Sequence, residues 1–558
     1  MGLIVPRLLR AALVPLGFAT LLHATPLLRL VNTAVVPVPL PLGANGGTQV
    51  VEAYNAGDGS LSPSIGTPAS WIVTTIASSR ACTTTTAAAT CIPLQMALNT
   101  SALAAGTYTA TVTVNDPNAA DSPQTITVTV RIGGLTVYVA PGASSNVPFQ
   151  TNSTLVGSPT TQDGNRWLSL AMNGEGSFRF TYPYNIHVAP PTTMAQGAYN
   201  GTLVTSGSTF APDNQTIPVT MHIATQPIAQ ASPSQVTERL AQGASQLAMQ
   251  ISLNNSGQGS LVIGTVSGTT TDGGTWLTAS ANSGGWAAIT LDPGTLAPGF
   301  YTGSVSIASN AVNGTVSVPV SFQVVAEGAP LASYQGVVDI AIFGVDGGAV
   351  APGDIVALFG EQLSFAGPTG ATNVPLPTQI GGATVLVSGR PAPLYYSSYD
   401  QINLEIPLET PVGTALVQVQ RDGISGNTVS LQVASRAPRI LVIVNPDTSV
   451  PSIAHPVGVG DTVVIYSIGL GPTNPAVATG APAPGSPLAN LATTPEVDFG
   501  SGLFGTIAAT PSYAGLSPGS VGLYQVNVAI PPGVPSGAVD VALLFPDSVS
   551  NTVQIAVQ

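Results

Sequence analysis

Apolar and polar residues alternate with a period of two along much of this chain. Tyr108, Ala110, Val112 and Val114 fall on one side of a run whose other side is Thr109, Thr111 and Thr113. Ile126, Val128, Val130 and Ile132 alternate with Thr and with Arg131, and Val316, Val318, Val320, Phe322 and Val324 repeat the pattern. A period of two sends successive side chains to opposite faces. Each run therefore predicts a strand with one buried and one wet face, as in antiparallel sheets. The nearest approach to an amphipathic helix is 235–250, and its spacing is not compelling.

The runs come in repeats. Leu103-Gly106-Tyr108, Met194-Gly197-Tyr199 and Leu296-Gly299-Tyr301 share one spacing, and an alternating run follows each Tyr. This resembles the tyrosine corner of immunoglobulin-like sandwiches, where a Tyr near the start of a late strand bonds back to upstream backbone. Asn55-Ala56-Gly57-Asp58-Gly59-Ser60-Leu61 returns as Asn255-Ser256-Gly257-Gln258-Gly259-Ser260-Leu261. Trp71 and Trp276 follow these loops, and Trp167 holds the matching place in between. Three units are expected, over 25–132, 133–224 and 225–325. They resemble the bacterial Ig-like repeats grouped with BACON domains, which sit beside carbohydrate-active modules in some secreted proteins.

A linker is expected over 326–333, and beyond it the chain is duplicated. Gln401, Asn403, Ile406, Pro407, Gly413, Asn427, Thr428 and Val429 recur at one constant offset as Gln525, Asn527, Ile530, Pro531, Gly537, Asn551, Thr552 and Val553. Gly353-Asp354 parallels Gly460-Asp461. Two β units follow, over 334–434 and 435–558. Pro391-Ala392-Pro393-Leu394-Tyr395, Gln401-Ile402-Asn403, Gly469-Leu470-Gly471 and Gly522-Leu523-Tyr524-Gln525-Val526-Asn527 stand in order. Together they resemble the uncharacterised C-terminal domain family of secreted acidobacterial proteins. That resemblance implies export and a β-rich fold, and it carries over no catalytic residue.

Composition narrows the class. Only 7% of the 558 residues are charged, against about 25% in ordinary domains. With 44% hydrophobic residues the chain does not have the make-up of a disordered one. Ser, Thr, Asn, Gln and Gly must supply the polar surface. All 12 basic residues are Arg, and the net charge of −13 argues against nucleic acid, which needs clustered basic side chains. Residues 1–24 read as a secretory signal: Arg7 and Arg10, an apolar run over 11–22, then Leu22-His23-Ala24 as a cleavage site. The apolar run is too short to span comfortably. The mature chain is therefore expected outside the cell or on its surface, without a membrane span. Cys82 and Cys91 are the only cysteines. Export favours a disulfide between them, over two free thiols or half of a metal site.

Catalytic signatures are sparse. There is no His-Glu-x-x-His spacing and no Asp-x-Asp-x-Asp-Gly loop. His187, His222 and His455 do not recur between repeats. Asp354 and Asp461 suit turns whose carboxylates bond local N–H groups better than calcium ligation. The Gln401/Asn403 and Gln525/Asn527 pairs suit inter-strand hydrogen bonding better than sugar contact. Trp286 and the Tyr395, Tyr396, Tyr399 group are the aromatic residues to test for ligand contact. The expectation is an all-β chain of tandem immunoglobulin-like β-sandwich domains, an elongated multidomain array without cofactor or metal. Its expected role is non-enzymatic: display, adhesion or matrix structure, with an extracellular protein or polysaccharide as partner. Carbohydrate binding on cell-wall or plant polysaccharide is the alternative, and a hydrolase ranks last.

Overall fold

Val, Ile, Thr and Tyr crowd the alternating runs, and these residues fit a pleated, half-buried surface. A computed structural model describes residues 26–35, 38–67, 69–83, 90–151, 153–173, 182–209, 211–341, 348–445, 447–500 and 507–558. The signal segment lies outside them. The described runs form strands in ten sheets, two to each of five units. The one helical element among the described residues is a 3-10 turn at Ala211–Asp213. The stretch 235–250 forms extended chain, with strands Val236–Ala241 and Leu247–Asn255. The chain is an all-β array of immunoglobulin-like sandwiches.

In each of the first three units an early strand pairs in parallel with the last one. Val38–Leu40 runs beside Val130–Ile132, Leu135–Val139 beside Val219–Ile223, and Val236–Ala241 beside Val320–Val325. The other strands pair antiparallel, and the facing sheets close over Val112, Val128 and Met96 in the first unit. The second unit closes over Trp167, Ile186 and Met221, the third over Trp276, Ile289 and Phe322. Tyr199 Oη donates to Ala195 O at 3.0 Å and Tyr301 Oη to Ala297 O at 2.8 Å, so both corners form. Tyr108 packs half-buried against its core, but no such bond forms there among the described residues, and nothing in the structure explains the difference. The repeated Asn loops are Asx turns. Asn55 Oδ1 accepts from Gly57 N at 3.0 Å, and Asn255 Oδ1 from Gly257 N at 2.9 Å.

The fourth and fifth units share one strand order. In the fourth unit the larger sheet runs Leu331–Asp339, Ile355–Glu361, Gln401–Glu405, Leu394–Ser397. In the fifth it runs Arg439–Val444, Thr462–Ile468, Tyr524–Ala529, Tyr513–Leu516. Gln401 and Gln525 sit on equivalent strands. Gln401 Nε2 donates to Asn403 Oδ1 at 2.7 Å and Gln525 Nε2 to Asn527 Oδ1 at 2.9 Å. Asn427 clamps both backbone groups of Ala332, and Asn551 those of Ile440. The strand Leu331–Asp339 takes up the end of the expected linker and leaves 326–330 as the connection.

The row of units folds back on itself, which shortens the elongated array expected from sequence. Arg29 of the first unit pairs with Asp121 beside it and, at 3.4 Å, with Glu361 of the fourth. Arg239 of the third unit reaches the same Glu361 at 3.1 Å and also donates to Pro123 O of the first.

Candidate functional site

A cleft lies between the first and third units. The outer faces of two sheets meet at one end, where Thr127 Oγ1 is 3.1 Å from Ser321 Oγ and Gln323 Nε2 donates to Pro123 O at 2.7 Å. Away from that contact the sheets part and leave a trough of about 660 Å³. Ligand sites usually measure ~300–1,000 Å³. The strand period puts Thr107, Thr109 and Thr111 on the trough side while Val112 and Val114 are buried behind them. Twelve of the eighteen lining residues are Ser or Thr, and none is acidic or aromatic.

Hydroxyls pair across the strands of these walls. Thr109 and Thr129 lie 3.1 Å apart, Thr269 and Ser304 3.0 Å, Thr271 and Thr302 2.9 Å. A hydroxyl donates once and accepts twice, so each pair keeps bonding capacity. Arg131 is the one charged residue in the lining. Partial burial between the walls lowers its pKa, because a guanidinium loses hydration there. Arg29, Arg80, Arg239, Arg421, Arg436 and Arg439 all have carboxylate partners. Arg131 has none among the described residues.

A second, smaller cavity of about 180 Å³ lies at the seam of the fourth and fifth units. Leu408, Val477 and Leu516 make its apolar walls, with Glu405 and Tyr524 as polar members. Glu405 is 3% exposed and accepts from Gly480 N at 2.5 Å. Burial pushes its pKa up to about 7. Tyr524 Oη donates to Gly471 O at 2.6 Å. Nearby, buried Asp354 accepts from Ala351 N at 2.7 Å, while its other oxygen finds no partner among the described residues. Burial pushes Asp354 up to about 8. Both carboxyls can thus hold a proton near neutral pH and donate it to an acceptor.

The residues singled out from sequence scatter over the molecule. Cys82 and Cys91 are joined as a disulfide, with Cα atoms 4.9 Å apart. Trp286 is half-buried at the start of Trp286–Leu291. Tyr395 is spent on the seam, its hydroxyl donating to Val521 O at 2.5 Å. Tyr396 is half-buried and pairs through its backbone with Gly370. Tyr399 packs against the core of the third unit and stacks on Phe365 at 6.3 Å, so it serves an interface. The three tyrosines therefore present no common aromatic platform. Trp167 and Trp276 are core residues whose indoles donate to Asp163 and Asp272, each at 3.1 Å. His222 stacks on Tyr138 at 4.7 Å and His187 meets Asn146 at 2.7 Å. Asp354 and Asp461 accept from the N–H three residues upstream, the turn role expected of them. No cluster of three metal-binding side chains occurs among the described residues.

Sequence reasoning passed over Arg131, the Ser and Thr of the trough, and Glu405. Arg131 carried one signal: it interrupts a wet strand face that is otherwise Thr. Glu405 carried none, since its burial comes from a loop of the neighbouring unit.

No family model matches the chain, and no curated protein matches it. Among solved structures it is similar to an endo-fucoidan hydrolase of glycoside hydrolase family 107, at 13% identity, TM-score 0.15, 55% of this chain and 45% of that one. The chain thus spans under half of that enzyme. It is also similar to the human desmocollin-1 ectodomain, at 8% identity, TM-score 0.16 and 94% and 98% coverage. Sidekick-1 immunoglobulin domains 1–5 align at 12% identity, TM-score 0.14 and 96% and 99% coverage. Likenesses at these TM-scores carry no argument about what the chain does.

Proposed function

We propose that this chain is a secreted, non-enzymatic protein of the cell exterior that works by display and adhesion. The observation that carries this reading is the make-up of the trough. Two sheet faces present paired hydroxyls toward an open space, with no carboxylate there to act as acid or base. Hydroxyl arrays offer many modest hydrogen bonds, each with a net worth of about 1 kcal/mol. Such a surface suits binding by area, and linked units multiply weak contacts. The likeness of 334–558 to a domain family of secreted acidobacterial proteins belongs to the same proposal, as does the signal segment.

The trough also favours a second, sharper reading: carbohydrate is the bound surface. Sugars match a wall of donors and acceptors, and ladders of Thr and Ser supply both. The test is depletion of the full chain from solution by a panel of insoluble polysaccharides and by cell envelopes. Retention by one or more of them, without release of soluble sugar, is the expected result. Soluble sugar released in a manner abolished by one Asp or Glu substitution overturns the non-enzymatic reading.

A further inference from the structure

We propose that the trough between the first and third units is a site for an acidic glycan, in which Arg131 holds a carboxylate or sulfate of the sugar while the flanking hydroxyls hold its ring substituents. The inference rests on the carbohydrate reading and names the class of sugar. A guanidinium binds planar anions through a fork of donors. Arg131 is such a fork without a protein anion to meet it, whereas six other arginines of the chain have carboxylate partners.

The surroundings select for a sugar that carries an anion. The chain bears a net charge of −13, so a polyanion is repelled from most of its surface at long range. The trough is an exception, since its lining has one positive group and no negative one. The neutral part of the ligand then meets hydroxyls on both walls. Thr107, Thr109 and Thr129 share the sheet face of Arg131, and Thr302 and Ser304 stand on the opposite wall. The bonds between Thr127 and Ser321 and between Gln323 and Pro123 hold the walls apart at a set distance, so the site is largely formed before binding. No covalent step is involved.

The geometry also sets the limit of the site. One guanidinium in a trough of about 660 Å³ recognises a single acidic group on a short stretch of chain. Affinity for a polymer would then come from repeated engagement along it.

The experiment is calorimetric titration of the full chain at low salt. The probes are oligogalacturonate, a neutral gluco-oligosaccharide of equal length, and inorganic sulfate. Variants are Arg131→Ala, Arg131→Lys and Thr302→Trp, the last of which fills the trough. Thermal unfolding of each variant reports whether the first and third units remain folded. The expected result is that oligogalacturonate binds and the neutral oligosaccharide binds at least tenfold more weakly. Arg131→Ala should lower uronate affinity about ten- to a hundredfold, the worth of a charge-assisted bond. Arg131→Lys should restore part of it, and Thr302→Trp should abolish binding of both sugars. Neutral and acidic sugars binding alike, with Arg131→Ala silent and Thr302→Trp still blocking, overturns the acidic-glycan inference and leaves the carbohydrate reading standing. Binding of either sugar untouched by Thr302→Trp overturns both at this site. Sulfate binding as tightly as the uronate chain reduces the site to a simple anion site and also overturns the inference.

Discussion

The fourth and fifth units have one strand order but use the same corner for different ends. In each, a residue with left-handed backbone follows the second strand: Gln362 at φ 57° after Ile355–Glu361, Gly469 at φ 72° after Thr462–Ile468. Gln362 ties down the chain arriving from the third unit, accepting from Gly328 N at 2.8 Å and donating to Ala326 O at 3.3 Å. At Gly469 a side chain has no room, because a Cβ would lie 2.1 Å from Ala437 O and 2.9 Å from Asp354 Oδ1. The aspartate turns differ for the same reason. Asp354 is 1% exposed beneath that corner, while Asp461 faces solvent. Duplication copied the backbone, and the docking of one copy on the other made the chemistry unequal.

The largest expected effect is on pH dependence. Asp354 is raised to about 8 and Glu405 to about 7 in the folded protein, from roughly 4 in an unfolded chain. The folded state then keeps protons that the unfolded state gives up. Stability from these groups is full below about pH 4 and is lost as pH rises toward about 8. The loss should be on the order of several kcal/mol, read as a falling urea midpoint for the transition of the C-terminal pair. Asp354→Asn should flatten this fall, and Asp461→Asn should leave it in place. Equal slopes in the two variants would break the comparison.

Gly469→Ala comes next. Strain at positive φ and the clash with Ala437 O should cost about 3 kcal/mol in the same transition. Gln362→Ala, at a site that already accepts a side chain, should cost less, about 1–2 kcal/mol from its two bonds to 326–328.

Asn427→Ala and Asn551→Ala test the part of the duplication that did stay equal. Each removes a clamp on two backbone groups, so each should cost about 2 kcal/mol. A difference larger than about 1 kcal/mol between them would mean that the docking reaches even these strands.

The smallest effects belong to the corners of the first three units. Tyr199→Phe and Tyr301→Phe each remove one exposed hydrogen bond and should cost about 0.5–1 kcal/mol by thermal unfolding. Tyr108→Phe removes none and should be near neutral. A full loss at Tyr108 would place a corner bond there in solution.

Strand alternation made the cores legible in advance. Val112, Val128, Val318 and Phe322 were read as buried because period two leaves them on one face, and they are buried. The clamps at Asn427 and Asn551 were visible as a recurrence, though their partners were not, because Ala332 and Ile440 are distant in sequence. The trough was illegible for a related reason. Thr107 and Thr302 each look like an ordinary wet strand residue, and only the fold-back sets them across from one another. Tyr395 and Tyr399 are consumed by contacts between units that sequence cannot place. Glu405 looked like any strand acid until Gly480 of the next unit covered it.

The parallel pairing of early and last strands bears on how the chain carries load. When a sandwich is pulled by its two ends, such strands slide lengthwise past each other. Their hydrogen bonds must then yield together, whereas a hairpin pulled at its open end unzips one bond at a time. The overlap is Leu135–Val139 in the second unit and Val236–Ala241 in the third, while in the first Val38–Leu40 is joined by a parallel bridge from Ala34 to Thr127. Tension along the chain would therefore open the second unit before the third. A chain pulled in this way would gain length from the second unit while the third still holds.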